Sequence, residues 1–278
     1  MRYWSILFAL AAVFVVGAFV YAPFSPDWWL PNAPAASWLA DTPGEALHTV
    51  SSSGREIDSL FLIILWITGL VFIGTQVALV WVAWRYADRP GRVATYFHGS
   101  QRLEVVWTII PAAILVFIAL YQMGTWANIK FRTAMPRVQP LAEVTARQFQ
   151  WVFRYPGPDG KLRTGDDLFT VNDLHFVRNK TALINLRSSD VIHSFFLPQL
   201  RIKQDAVPGL TIPVWFDSDR AGSFELACAE LCGWGHYKMR GKVTVHATEK
   251  DFEEWQAHAL AEQNRSQLAA ATSGPQGR

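Results

Sequence analysis

The sequence predicts a membrane-anchored protein: two core apolar helices, with a third apolar stretch before them, carrying an all-β domain outside the bilayer. Three observations predict this. Ser59 to Trp84 and Val105 to Ile129 are free of charge, and each exceeds the roughly 20 residues that cross a ~30 Å hydrocarbon layer. From Leu141 onward the apolar pattern shortens to strand length. Finally, only 17% of the 278 residues are charged and thirteen are tryptophan. Trp28, Trp29, Trp81, Trp84, Trp107 and Trp126 fall at the ends of apolar runs, as the aromatic belts of membrane proteins do.

Residues 1–24 combine Arg2 with an uncharged run from Tyr3 to Phe24. They read either as a signal peptide or as an extra transmembrane helix: Val20-Tyr21-Ala22 resembles a cleavage site, but Pro23 follows it directly. Residues 25–56, rich in Pro, Ser and Trp, form a linker. Residues 57–84 are the first core span and 104–129 the second, where Pro111 lies in the early turns and is tolerable in lipid. The loop 85–103 carries Arg85, Arg89, Arg92 and Arg102, which places it in the cytoplasm. Everything after residue 129 then lies outside. Lys130, Arg132 and Arg137 stand against that rule, but long translocated domains escape it.

The outer domain spans 139–248. Candidate strands are 143–154, 168–171, 181–187, 191–197, 211–217, 223–229 and 241–247, separated by turn signals such as PGPDG and VPG. Strands so short and closely spaced read as a β-sandwich or barrel. Residues 249–278 begin with a capping box, Thr248 with Asp251, that opens an amphipathic helix near 249–262, and they end in a disordered tail. A net charge of +2 gives no sign of a nucleic-acid partner.

The chain has two cysteines, both in CAELCGWGHYKM at 228–239. A Cys228–Cys232 disulfide is open to it, as is a zinc site with two Cys and two His. A single copper would use one Cys, two His and a Met. Two coppers bridged by both thiolates would use every donor, with His193 of DVIHSFFLPQL as the second imidazole. The residues alone leave these alternatives open.

CAELCGWGHYKM together with DVIHSFFLPQLRIKQDAVPG resembles subunit II of the haem-copper cytochrome c oxidases, and EVVWTIIPAAILVFIALY supports the likeness. The resemblance runs from about residue 57 to 260. It implies a cupredoxin-like domain holding the dinuclear copper centre CuA. Cys228 and Cys232 would bridge the metals, His193 and Met239 would complete one shell, and His236 with the Glu230 carbonyl the other. It also implies magnesium on the Glu230 carboxylate at the subunit I interface; a solvated loop acid is the plain alternative. Glu104 would sit near the mouth of a proton pathway, or serve only as a helix-start acid.

The function implied is a cytochrome-c oxidase subunit of a bacterial-type inner membrane, with its copper domain on the periplasmic side. It would take electrons from cytochrome c and pass them to the haem centres of subunit I, for oxygen reduction coupled to proton pumping. Subunit III and membrane lipid are further implied partners. No CxxCH run supplies a haem site in this chain. The family's Trp-x-Trp pattern reads here RQFQWVFRY, so Phe149 and Trp151 become the candidate electron-receiving aromatics; ordinary strand aromatics are the alternative. A local acidic patch of Asp166, Asp167, Asp217 and Asp219 could steer a basic donor. Alternative readings are a copper-containing nitric oxide reductase subunit, a quinol oxidase subunit and a tethered metal carrier.

Overall fold

The computed structural model describes residues 2–21, 49–93, 96–131 and 135–272. Trp28, Trp29, Ala22, Pro23, Arg132, most of the linker and the tail beyond Thr272 lie outside the described residues. The chain divides into an apolar helical unit and a β-domain that includes the stretch ending at Arg55.

In the helical unit, α1 spans Arg2–Tyr21, α2 Ser52–Arg85 and α3 Gln101–Lys130. At ~1.5 Å per residue, α2 and α3 outreach a ~30 Å hydrocarbon layer. No residue of α3 is buried, and Trp66, Leu70, Ile109 and Leu120 are all exposed. Such surfaces suit lipid, where apolar side chains need no protein partner. Two threonine hydroxyls within α2 are satisfied locally: Thr68 Oγ1 donates to Ile64 O at 2.8 Å and Thr75 Oγ1 to Phe72 O at 2.7 Å.

Among the described residues, the β-domain is a cupredoxin-like sandwich of ten strands. They are β1 Ala142–Arg147, β2 Gln150–Tyr155, β3 Leu168–Val171, β4 Asp173–Val177, β5 Ala182–Ser188, β6 His193–Leu197, β7 Ile202–Ala206, β8 Ile212–Phe216, β9 Gly222–Cys228 and β10 Arg240–His246. One sheet has the order β3-β2-β1-β5-β8 and the other β4-β10-β9-β6-β7. Pairing is antiparallel except for β1 with β5 and β4 with β10. Alternation along β5 (buried at Ala182, Ile184, Leu186 and Ser188) turns one face inward. The core is aromatic: Trp151, Phe153, Tyr155, Phe176, Phe195 and Phe216 are fully buried, with Phe176 edge-on to Phe216 at 5.2 Å.

The structure differs from the sequence expectation at several points. The single strand expected over 143–154 is a tight hairpin, with Arg147 paired to Gln150 and the turn at Gln148–Phe149. Strands β4 and β7 add to those expected. The end of the expected linker also belongs elsewhere. Val50 N–H donates to Gln199 O and Val50 O accepts from Asp219 N–H, Ser51 Oγ donates to Leu200 O, and α2 starts at Ser52.

The helix α4, Glu249–Thr272, runs ten residues beyond the expected end at 262. It opens on a reciprocal cap: Asp251 N–H donates to Thr248 Oγ1 at 3.2 Å and Thr248 N–H to Asp251 Oδ2 at 3.0 Å. Gln263 seals the β3 edge, accepting from Phe169 N–H and donating to Asp167 O. Trp255 stacks flat on His175, with ring centroids 3.7 Å apart.

Beneath α4, His175 Nδ1 meets His246 Nε2 at 2.9 Å. Asp173 lies 2.9 Å from His175 Nε2, though poorly aligned for a hydrogen bond, and Asp251 faces the pair from α4. Burial, then the neighbouring His175, hold His246 below its ordinary value despite the two acids. Its folded pKa is depressed, so the unfolded chain takes up the proton first as pH falls. Stability is therefore full above ~6.5 and declines from there down to the depressed folded value. Denaturant unfolding from pH 7.5 to 5.5 is expected to show that decline, and His246→Gln to flatten it; equal slopes would exclude this origin.

Candidate metal centre

Strand pairing builds the site. In the second sheet β9 lies between β10 and β6, so the end of β9, the start of β10 and the start of β6 meet at one edge of the sandwich. Cys228 ends β9 opposite Phe195, and its N–H donates to Met239 O at 3.1 Å. Ala229 N–H donates to Ser194 O, tying the loop to the strand that begins at His193. The loop 229–239 returns through a short 3-10 turn at His236–Lys238, where His236 N–H donates to Gly233 O and Met239 N–H to His236 O.

Donor atoms of His193, Cys228 and Cys232 all lie within 4.8 Å of one another. The two sulfurs are 3.9 Å apart and both thiols are free. Cys232 Sγ is 3.6 Å from His236 Nδ1 and 3.8 Å from Met239 Sδ. Cys228 Sγ lies 3.3 Å from the Glu230 carbonyl oxygen. The six positions singled out in the sequence thus converge, while the Glu230 side chain itself is exposed.

His193 carries the clearest sign of a missing partner. It is fully buried, and its Nδ1 has no hydrogen-bond partner, which for a buried polar atom costs about 1–3 kcal/mol. Its Nε2 lies 2.8 Å from Asp190 Oδ1. A carboxylate only accepts, so Nε2 carries the proton and Nδ1 presents a bare lone pair. The donor set fits a soft metal. Two bonds of ~2.3 Å meeting near the tetrahedral angle span roughly 3.8 Å, about the sulfur separation here. Thiolate, imidazole and thioether together suit copper over a hard cation, and six donors exceed the four of a structural zinc.

Burial, reinforced by the neighbouring Cys228, pushes the Cys232 thiol up to about 11. Metal uptake must therefore expel protons, so it strengthens as pH rises. Burial opposes the charge on Asp190, yet Gln148 N–H, His193 and Val191 N–H outweigh it and hold the carboxyl below its ordinary value. Asp190 was not singled out in the sequence; a carboxylate three residues before the candidate imidazole, in DVIH, was the available signal.

Trp151 is fully buried, edge-on to His193 and Phe195 at 6.2 and 5.4 Å. It underpins the site and cannot itself touch a donor. Phe149 is partly buried beside the ligand loop, where Gln148 Nε2 donates to Cys232 O at 2.5 Å. Glu104 lies in the first turn of α3. The four acids of the expected patch do not form one. Asp167 is buried against Arg154 and Asp166 accepts from Thr164. Asp217 and Asp219 instead hold Ser52 N–H and Arg55.

Two family models cover the chain in tandem: the transmembrane domain of cytochrome c oxidase subunit II over residues 47–124 and its periplasmic domain over 121–246. An alternative cytochrome c oxidase subunit 2 from Bradyrhizobium diazoefficiens is 32% identical, over 86% of this chain and 87% of its own. The cytochrome c oxidase subunit 2 of Thermostichus vulcanus is 30% identical, over 78% and 79%. Among solved structures, the periplasmic domain of subunit II of cytochrome oxidase from Bradyrhizobium japonicum is 27% identical, covering 46% of this chain and 97% of that one with a TM-score of 0.41. With both parts of the family present in order, and with relatives this similar along most of their length, the chain belongs to the cytochrome c oxidase subunit II family of the haem-copper oxidases.

Proposed function

We propose that this subunit takes electrons from cytochrome c at a dinuclear copper centre and hands them to the haems of subunit I, where oxygen is reduced to water as protons are pumped. The observation that carries the reading is the buried, unpartnered Nδ1 of His193 facing two free thiols, with an imidazole and a thioether beside them. Cys228 and Cys232 would bridge the metals. His193 with Met239 would serve one, and His236 with the Glu230 carbonyl the other. When bound, the metal pair supplies a reversible one-electron couple.

The chain's own contribution would be to keep that couple rigid. Six donors held by three strand ends and one short loop would have little room to rearrange when the group gains or loses an electron. Asp190 fixes the His193 ring, and the buried Trp151 backs it. The exposed Glu230 carboxylate is proposed to hold magnesium where subunit I docks, and Glu104 to stand near a proton pathway. Subunit III and lipid complete the proposed surroundings, with the β-domain on the periplasmic side of a bacterial inner membrane.

Electron paramagnetic resonance of the copper-loaded protein tests the reading. The expected spectrum is that of one unpaired electron shared by two copper nuclei; an electron confined to one nucleus refutes it. Met239→Leu is expected to keep both metals and raise the reduction potential, since the oxidised state would lose more when a weak thioether donor goes. Redox titration of the variant checks this, and an unchanged potential would remove Met239 from the ligand set.

A further inference from the structure

The loop that carries the ligands also carries three large apolar side chains into solvent. Leu231, Trp234 and Tyr237 are 78%, 77% and 73% exposed. Trp234 lies two residues from Cys232 and two from His236 in the chain. Its ring is not loose. It packs edge-on to Phe149 with centroids 5.2 Å apart, and the Lys238 ammonium sits 4.4 Å from its centroid.

The glycines on either side explain how the loop comes so close to Phe149. A Cβ at Gly235 would lie 2.5 Å from the Phe149 ring; one at Gly233 would meet Gln148 Nε2 at 2.8 Å and the Phe149 ring at 3.1 Å. Gly233 also has φ +138°, which a side chain rarely adopts. Phe149 is therefore pressed against the loop backbone at both flanks of Trp234. The exposed indole thus packs edge-on against a ring that itself lies on the backbone of the loop holding the proposed metal ligands. Exposed aromatics of this kind mark a contact face, and a tryptophan at its centre carries a large share of such contacts.

We propose that Trp234 is the residue through which this chain receives electrons, and that Leu231, Trp234 and Tyr237 form the apolar centre of the face where the donor's exposed redox group docks. The proposal rests on the copper reading above. One electron leaves the donor's reduced iron, which becomes ferric, and reduces the oxidised metal pair by one. The indole is the contact through which the electron passes; it ends unchanged, and no proton moves. The exposed side chains at the centre of the face are apolar, and the one ammonium among them, Lys238, is drawn onto the Trp234 ring, so the partner is a cytochrome whose face around the haem edge is apolar. Its association should depend only weakly on salt.

The test puts Trp234→Gln and Trp234→Phe into the intact oxidase complex, with soluble ferrous cytochrome c as donor. Copper resonance is measured first. A wild-type complex without the shared-electron signal overturns the copper reading and this proposal with it. With that signal present and equal in the variants, Trp234→Gln is expected to lower kcat/KM for the cytochrome by roughly tenfold or more. Trp234→Phe should recover part of the loss. Transfer from the photoreduced copper to the haem of subunit I should keep its wild-type rate, since that leg does not use Trp234. An unchanged kcat/KM in Trp234→Gln overturns the proposal, as does an equal slowing of the internal step, which would show a structural role.

Discussion

Cys228→Ser is expected to strip the protein of its metal pair while leaving the fold in place. The substitution exchanges a soft, bridging thiolate for a hard hydroxyl that stays protonated at neutral pH. No other cysteine can substitute, because Cys232 is the only other one in the chain and, in the proposed centre, would itself serve both metals. Outer partners of a metal ligand already account for 10–100-fold in affinity, so loss of a bridging ligand should exceed ~100-fold. Copper per chain should fall to one or none, with turnover lost in parallel. The fold survives because Cys228 is only half-buried and β9 holds its backbone by pairing; stability should shift by about 1 kcal/mol or less. A Cys228→Ser complex that kept two coppers and normal turnover would disprove the ligand assignment.

The cluster of candidate donors was legible because it is local and chemically biased. Cys228, Cys232, His236 and Met239 fall within twelve residues, and His193 stands before a hydrophobic strand. Strands such as β5 were legible through their strict alternation. The hairpin at Gln148–Phe149 was not, because RQFQ offers none of the Gly, Asn or Asp residues that mark a two-residue turn. Strand β7 was hidden for another reason: IKQDA places charge within an edge strand, which protects the sheet from adding another chain but erases the apolar signal. Trp234 could be seen as a letter, but its place against Phe149 depends on a turn that the pattern did not reveal. The same holds for Asp190, whose second partner, the Gln148 N–H, is 42 residues away in the chain.

Asp190→Asn is the second change expected to act far beyond its size. The carboxylate serves two sides at once. Oδ2 accepts from Gln148 N–H at 2.7 Å, while Oδ1 accepts from Val191 N–H at 2.7 Å and faces His193 Nε2 at 2.8 Å. An amide has a single oxygen. If that oxygen stays on His193, the NH2 group confronts the Gln148 N–H, which loses its acceptor. The strain then falls on the turn whose Gln148 side chain also holds Cys232 O. If the amide turns over, its NH2 confronts Nε2 and draws the lone pair to that side. The imidazole proton then moves to Nδ1 and points at the sulfurs, where the metal should bind. Either orientation weakens the site without removing a ligand. Metal affinity, read by competition with a chelator, should drop 10–100-fold, with only about 1 kcal/mol of stability lost, since the exposed Gln148 N–H can turn to water. Asp190→Ala leaves both sides unpaired yet imposes no wrong proton. It should therefore hold metal no worse than Asp190→Asn, although it removes more atoms. If Asp190→Asn instead binds copper with wild-type affinity and an unaltered spectrum, His193 is not oriented by Asp190, and its unpartnered nitrogen needs another explanation.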